Sequence, residues 1–180
     1  RHTRYWRDWS SDVCSSDLDY TKLAEKNEAE NYADMRTVKT KTELATRRDF
    51  ARQLMKANSE LLTFMEASDS RFREKLRKLG VTGSEAEKVA AGFSRGFGRS
   101  MPTVRRVRKA DESMCKTLIS MCDLLEAEWG KWEVKDEDIV FADDKVAERY
   151  NELVDAITKA ADDQITAQRE MIELQQRLPH

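Results

Sequence analysis

At 180 residues the chain has the length of one ordinary domain, and 32 Lys and Arg against 34 Asp and Glu leave a net charge of only −2. Charged residues make up 37 %, Gly and Pro are scarce, and Ala, Glu, Lys, Leu and Arg are frequent, which is the composition of long helices. No run of eighteen apolar residues occurs, so the sequence holds no membrane-spanning helix.

The first stretch, RHTRYWRDWSSDVCSSDL over Arg1 to Leu18, is similar to a reading frame through a short-read sequencing adapter. We take Asp19 as the first native residue, which removes His2, Tyr5, Trp6, Trp9 and Cys14 from functional reasoning. The native start is then lost, and localisation stays open. Cys115 and Cys122 remain; seven residues apart on a helix they stand about 10 Å apart along its axis, too far for a disulfide with each other. They read as small buried side chains.

From Tyr20 to Lys78 there is neither Gly nor Pro, which predicts a first helix over about 20–79. Its early part is weakly patterned. From Leu44 steps of four and three run through Arg48, Ala51, Met55, Asn58, Leu62, Met65, Asp69, Phe72, Leu76 and Leu79, widened by Phe50, Leu54, Leu61 and Phe64. Asn58 and Asp69 interrupt this stripe and are expected to set register. Leu79-Gly80 ends the helix, and Ser84-Glu85-Ala86-Glu87 is expected to form a capping box for the next. So short a connection predicts an antiparallel neighbour.

The second helix is expected over about 85–131. Its stripe runs from Ala90 through Phe93, Phe97, Ser100, Val104, Val107, Asp111, Met114, Leu118, Met121, Leu125 and Glu128 to Trp132. Gly92, Gly96, Gly98 and Pro102 lower helical propensity by about 5–6 kcal/mol in total. That predicts a kink or break near 92–102, with Ser100 as a new cap. Trp132 and Val134, then Ile139 and Phe141, alternate around Lys135-Asp136-Glu137-Asp138 and predict a small hairpin, or else a loop, that covers the end of the bundle. A third helix follows over about 144–178, capped by Asp143 or Asp144, with Val146, Tyr150, Leu153, Ile157, Ala160, Gln164, Ala167, Met171, Leu174 and Leu178 inward; Leu178-Pro179 ends it. The expected fold is therefore all-α: one domain over 19–180, an elongated antiparallel three-helix coiled-coil bundle with a small β-hairpin or loop between its second and third helices.

Catalytic chemistry has few residues to draw on. The one native His is His180, which leaves no imidazole base for a nucleophile relay. Cys and His clusters for zinc and Glu-x-x-His pairs for di-iron are missing, and the glycines fit no phosphate-loop spacing. The pairs Asp143-Asp144, at a cap, and Asp162-Asp163, on a helix surface, read as solvated rather than as cation sites. We expect no enzyme, no cofactor, no metal and no small-molecule substrate.

The remaining candidate is Lys88 to Ala110, KVAAGFSRGFGRSMPTVRRVRKA, with Lys88, Arg95, Arg99, Arg105, Arg106, Arg108 and Lys109 and no acid. Asp123 to Asp163 answers it with 14 acids against 5 bases. Helical spacing puts Lys88, Arg95, Arg99, Arg106 and Lys109 on one face, opposite Ala90, Phe93, Phe97 and Val104. In one reading the rings are buried and the arginines meet solvent or the acids of Asp143 to Asp163. The protein is then a structural or protein-binding coiled-coil module that self-associates or takes another helical protein. In the other the basic face binds an anionic membrane or a nucleic acid. Long kinked helices with a basic face are similar to those of the membrane-bending BAR family, a likeness of helix pattern from which no residue is carried over. Exposure of Phe93 and Phe97 separates the two readings.

Overall fold

A computed structural model describes residues 19–27 and 29–176. The adapter-like segment, the Leu178-Pro179 stop and His180 lie outside the described residues. The chain is helical at 19–27, makes a short 3-10 helix at Met35–Thr37, and continues as α1 (Lys41–Glu66), α2 (Ser68–Lys78) and α3 (Gly83–Ala127). After β1 (Trp132–Lys135) and β2 (Asp138–Phe141) it ends in α4 (Asp144–Gln176). The protein is thus mostly helical with one small two-stranded sheet, as expected for the all-α class.

The first helix is a correction: the single rod expected over 20–79 is cut twice. Asn31 turns into the left-handed region (φ 48°), and Asp34 caps the 3-10 turn by accepting from the Arg36 amide at 3.1 Å. Buried Arg47 holds this break open. Its guanidinium donates to the carbonyls of Tyr32 (2.8 Å) and Asp34 (2.7 Å) and to the Thr37 hydroxyl (2.6 Å), so acceptors that a helix would use are taken by a side chain. α1 then restarts on a capping box. The Thr40 hydroxyl accepts from the Glu43 amide at 3.2 Å, and the Glu43 carboxylate accepts from the Lys39 amide at 2.6 Å. The second cut, at Ala67, is shallow: the backbone bonds Ala67 to Thr63 and Arg71 to Ala67 continue across it. Ser68 and Ser70 donate back to the carbonyls of Phe64 and Ala67, the kind of side-chain competition that bends helices.

α2 ends in a Schellman motif, Gly80 N–H to Arg77 and Val81 N–H to Leu76, with Gly80 at φ 74° as that geometry requires. The capping box expected at Ser84 does not form. α3 begins two residues earlier, after Thr82, without a side-chain cap, and Glu87 instead meets Arg73 of α2 at 3.3 Å. The kink or break expected near 92–102 is not a break. All 45 residues of α3, about 67 Å of helix, run through Pro102. The Ser100 hydroxyl donates back to the Phe97 carbonyl at 3.0 Å and caps nothing. Pro102 is exposed, so the Gly98 carbonyl it leaves unbonded lies on the solvent side of the helix.

The hairpin has the expected register, Trp132 opposite Phe141 and Val134 opposite Ile139. Asp136 and Glu137 turn it with φ of 50° and 70°, the signs of a type I′ turn. Its apolar face closes one end of the helices. The Trp132 indole donates to the Leu125 carbonyl at 2.9 Å and stands edge-on to Trp129, while Phe141 packs on Tyr150. Around them lies the core: Met35, Val38, Leu44, Ala51, Leu118, Met121, Cys122 and Leu125. Asp143 caps α4 by accepting from the Lys145 amide at 2.8 Å.

α3 is the centre of the molecule, packed against α1, α2 and α4. These neighbours run antiparallel to it. On the α1 side Arg48 meets Asp123 and Glu126 (2.7 and 2.6 Å) while Arg105 meets Glu66 (2.8 Å). On the α4 side Gln164 bonds Asp111 and Arg106 bonds Glu170.

Candidate functional site

The register between α3 and α4 decides what the basic segment is. With Asp111 against Gln164 and Arg106 against Glu170, the last described residue of α4, Gln176, falls opposite about Ser100. Residues 83–99 of α3 therefore reach past α4. Among the described residues they are backed by α2 alone, as a two-helix arm that turns at Gly80.

Phe93 and Phe97 sit on this arm. Expected inside a bundle, they are half-buried: Phe93 stacks on Phe72 of α2 with ring centres 4.4 Å apart and on Phe97 at 5.5 Å. The rings are engaged with one another rather than offered as free stacking platforms.

The seven basic residues part into three groups. Lys88, Arg95, Arg99 and Lys109 are exposed and form no ion pair among the described residues. Arg105 and Arg106, also exposed, lean to either flank onto Glu66 and Glu170. The acids between Asp143 and Asp163 expected to meet them are not their partners. Spacing along α3 sets Lys88, Arg95, Arg99, Arg106 and Lys109 on one outward ridge, which Lys116 continues. Beside it, an open groove of about 760 Å³ between α1 and α3 is lined by Met55 and Leu62, by the bases Arg52, Lys56, Arg105, Lys109 and Lys116, and by the acids Glu60, Glu66 and Glu112.

Arg108 does not join that ridge. Its side chain is only 15 % exposed and lies 3.4 Å from the Asp111 carboxylate, with the Tyr20 ring 4.3 Å from its guanidinium carbon. The Asn58 amide donates to the Arg108 carbonyl at 2.8 Å. Asp111, 3 % exposed, also accepts from the Tyr20 hydroxyl at 2.7 Å and from the Gln164 amide. Three polar residues that interrupt three helical stripes, buried Asn58 and Asp111 and half-buried Gln164, thus meet at one level through Arg108, joined by Tyr20 from the first helical segment. Asp69, the other polar interruption of the first stripe, likewise finds a partner across helices in the Ser94 hydroxyl, besides Arg73 at 3.1 Å.

Burial dominates the electrostatics of the layer. Burial pushes the Asp111 carboxyl above its ordinary range against the opposing pull of Arg108, and burial with the neighbouring Asp111 charge raises the Tyr20 phenol. Burial lifts the Cys115 thiol to about 12 and Cys122 to about 11, the reverse of a nucleophile's shift. Among the described residues no three His, Cys, Asp or Glu side chains gather to hold a metal, and no helix is long and apolar enough to cross a membrane.

Tyr20 and Arg47 are the structural residues that sequence reasoning missed. Tyr20 stands outside every stripe, while Arg47 lies beside Leu44 and Ala51 on the buried face, where a charge calls for a partner. The Thr40-x-x-Glu43 pattern was the available signal for the restart of α1.

No curated protein and no solved structure matches the chain. One family model does, over residues 20–172, from the Tyr20 segment through the arm and hairpin to the Ile172 turn of α4, and the chain belongs to that family, described as protein of unknown function (DUF3053).

Proposed function

We propose that the protein is a non-enzymatic interaction module, a helical scaffold that assembles with itself or with another helical protein. The observation that carries this is the polar layer in which Asn58, Asp111 and Gln164, all at stripe positions, meet Arg108 and Tyr20: polar residues at such positions trade stability for one fixed helix register. In this reading α1, α3 and α4 pack as an antiparallel three-helix coiled coil. The half-exposed face of α4, with Ile165 and Ile172 seven residues apart, is the assembly seam. Sedimentation velocity of the full chain over a concentration series tests it: a shift to larger species is expected, and a monomer at the highest concentration would count against self-association.

A second reading has its own support. Lys88, Arg95, Arg99 and Lys109 lack ion pairs among the described residues, and an exposed cationic ridge of this kind takes an anionic partner. Binding that weakens steadily as salt rises is the expected outcome for an anionic ligand.

A further inference from the structure

We infer that the tip of the two-helix arm is a docking surface for an anionic lipid bilayer, an inference that rests on the second reading above. Two independent features meet there. The first is charge: residues 68–100 hold eight Lys and Arg against four acids. Three of those acids are already engaged, Asp69 and Glu87 by Arg73 and Glu74 by Lys78. Lys75, Arg77, Lys88, Arg95 and Arg99 form no ion pair among the described residues. The second is apolar exposure. Leu79 is 41 % and Val89 46 % exposed, the first just after α2 and the second within the first two turns of α3, on either side of the turn at Gly80.

Exposed aliphatic side chains on a cationic arm suit the boundary between headgroups and acyl chains, where apolar burial and attraction to anionic lipid act together. A nucleic acid would use the cations alike but would leave Leu79 and Val89 in water. It would also want free rings for stacking, whereas Phe72, Phe93 and Phe97 stack on one another. The far end of the long axis supports the same choice. α3 carries the chain about 67 Å from the tip to the hairpin, and residues 123–163 hold 14 acids against 5 bases. A negatively charged surface therefore attracts the arm, repels the hairpin end and orients the molecule tip-first.

The test is co-sedimentation of the full chain with phosphatidylcholine vesicles, with and without phosphatidylglycerol, over a salt series, beside single-stranded and duplex oligonucleotides. Binding only to the anionic vesicles, falling with salt, is expected. Changing Lys88, Arg95 and Arg99 to Gln should weaken it by about fivefold each, roughly a hundredfold together. Leu79→Ser with Val89→Ser, which leaves the charge alone, should weaken it about threefold to tenfold. Lys159→Gln on α4 should leave it unchanged. All these positions are exposed, so an unaltered melting curve accompanies each variant. Equal binding to neutral vesicles overturns the inference, as does indifference to the Leu79 and Val89 changes. Oligonucleotide binding without vesicle binding overturns the bilayer and keeps the anionic reading, while binding to neither overturns both.

Discussion

Asp111 shows how much one side chain organises. It is buried yet receives the Tyr20 hydroxyl, the Gln164 amide and, at 3.4 Å, the Arg108 guanidinium, so it ties α3 to α4 and to the first helical segment. Asp111→Ala strands those donors and should cost about 3 kcal/mol, read by urea denaturation. Asp111→Asn keeps one acceptor oxygen and isolates the charge. Because burial raises the folded carboxyl, the folded chain holds that proton more tightly than the unfolded chain does. The associated stability is present below the unfolded value of about 3.9 and lost as pH rises through the folded one. Carboxyls held low, such as Asp34, Asp69 and Glu74, act in the opposite sense but equally in both proteins. Wild type should therefore gain on Asp111→Asn as pH falls from about 7 toward 4, and a difference independent of pH would refute the assignment. Asn58, Asp111 and Gln164 were legible as polar lapses in three apolar stripes. That they share one level was not, because the register between helices is set by contacts hundreds of bonds apart in the chain.

At the scale of elements, α3 stays helical across Pro102 because its neighbours hold it, not because its own sequence favours it. An interior Pro costs about 3 kcal/mol relative to Ala, and the exposed Pro102 makes no buried contact that would offset this. Pro102→Ala gives the Gly98 carbonyl its amide partner and should raise stability by about 1–3 kcal/mol. A loss on thermal melting would mean that α1 and α4 need the bend. In the hairpin Glu137 sits at φ 70°, where an L side chain is strained by about 1–2 kcal/mol. Glu137→Gly should recover about 0.5–1 kcal/mol, glycine's looser unfolded chain offsetting the remainder. The hairpin was legible to the register because alternation and turn are local. The first helix was not, because its break depends on Arg47 reaching back at least ten residues to carbonyls and a hydroxyl. The Ser84 box failed for a similar reason, since Arg73 on a different helix holds the acid it needs.

For the whole molecule, stability is graded along the axis of α3. At the hairpin end Leu118, Met121, Cys122 and Leu125 are buried among Leu44, Ala51, Phe141 and Tyr150. On the arm the one fully buried apolar residue of α3 is Ala90, and the rings that replace a core are half-buried. Gly92, Gly96 and Gly98 add to the difference: each costs about 1 kcal/mol relative to Ala, and open space lies where each would carry a Cβ. Local opening draws on the segments with the fewest buried apolar contacts. Amides of residues 86–98 should thus exchange with deuterium at least about a hundredfold faster than those of 114–125 within the same unbroken helix, a difference of about 2.7 kcal/mol. Mass spectrometry of overlapping peptides resolves this directly. Uniform protection along α3 would show that something covers the arm in solution, and the same measurement with anionic vesicles present should slow the arm while leaving the hairpin end as it was.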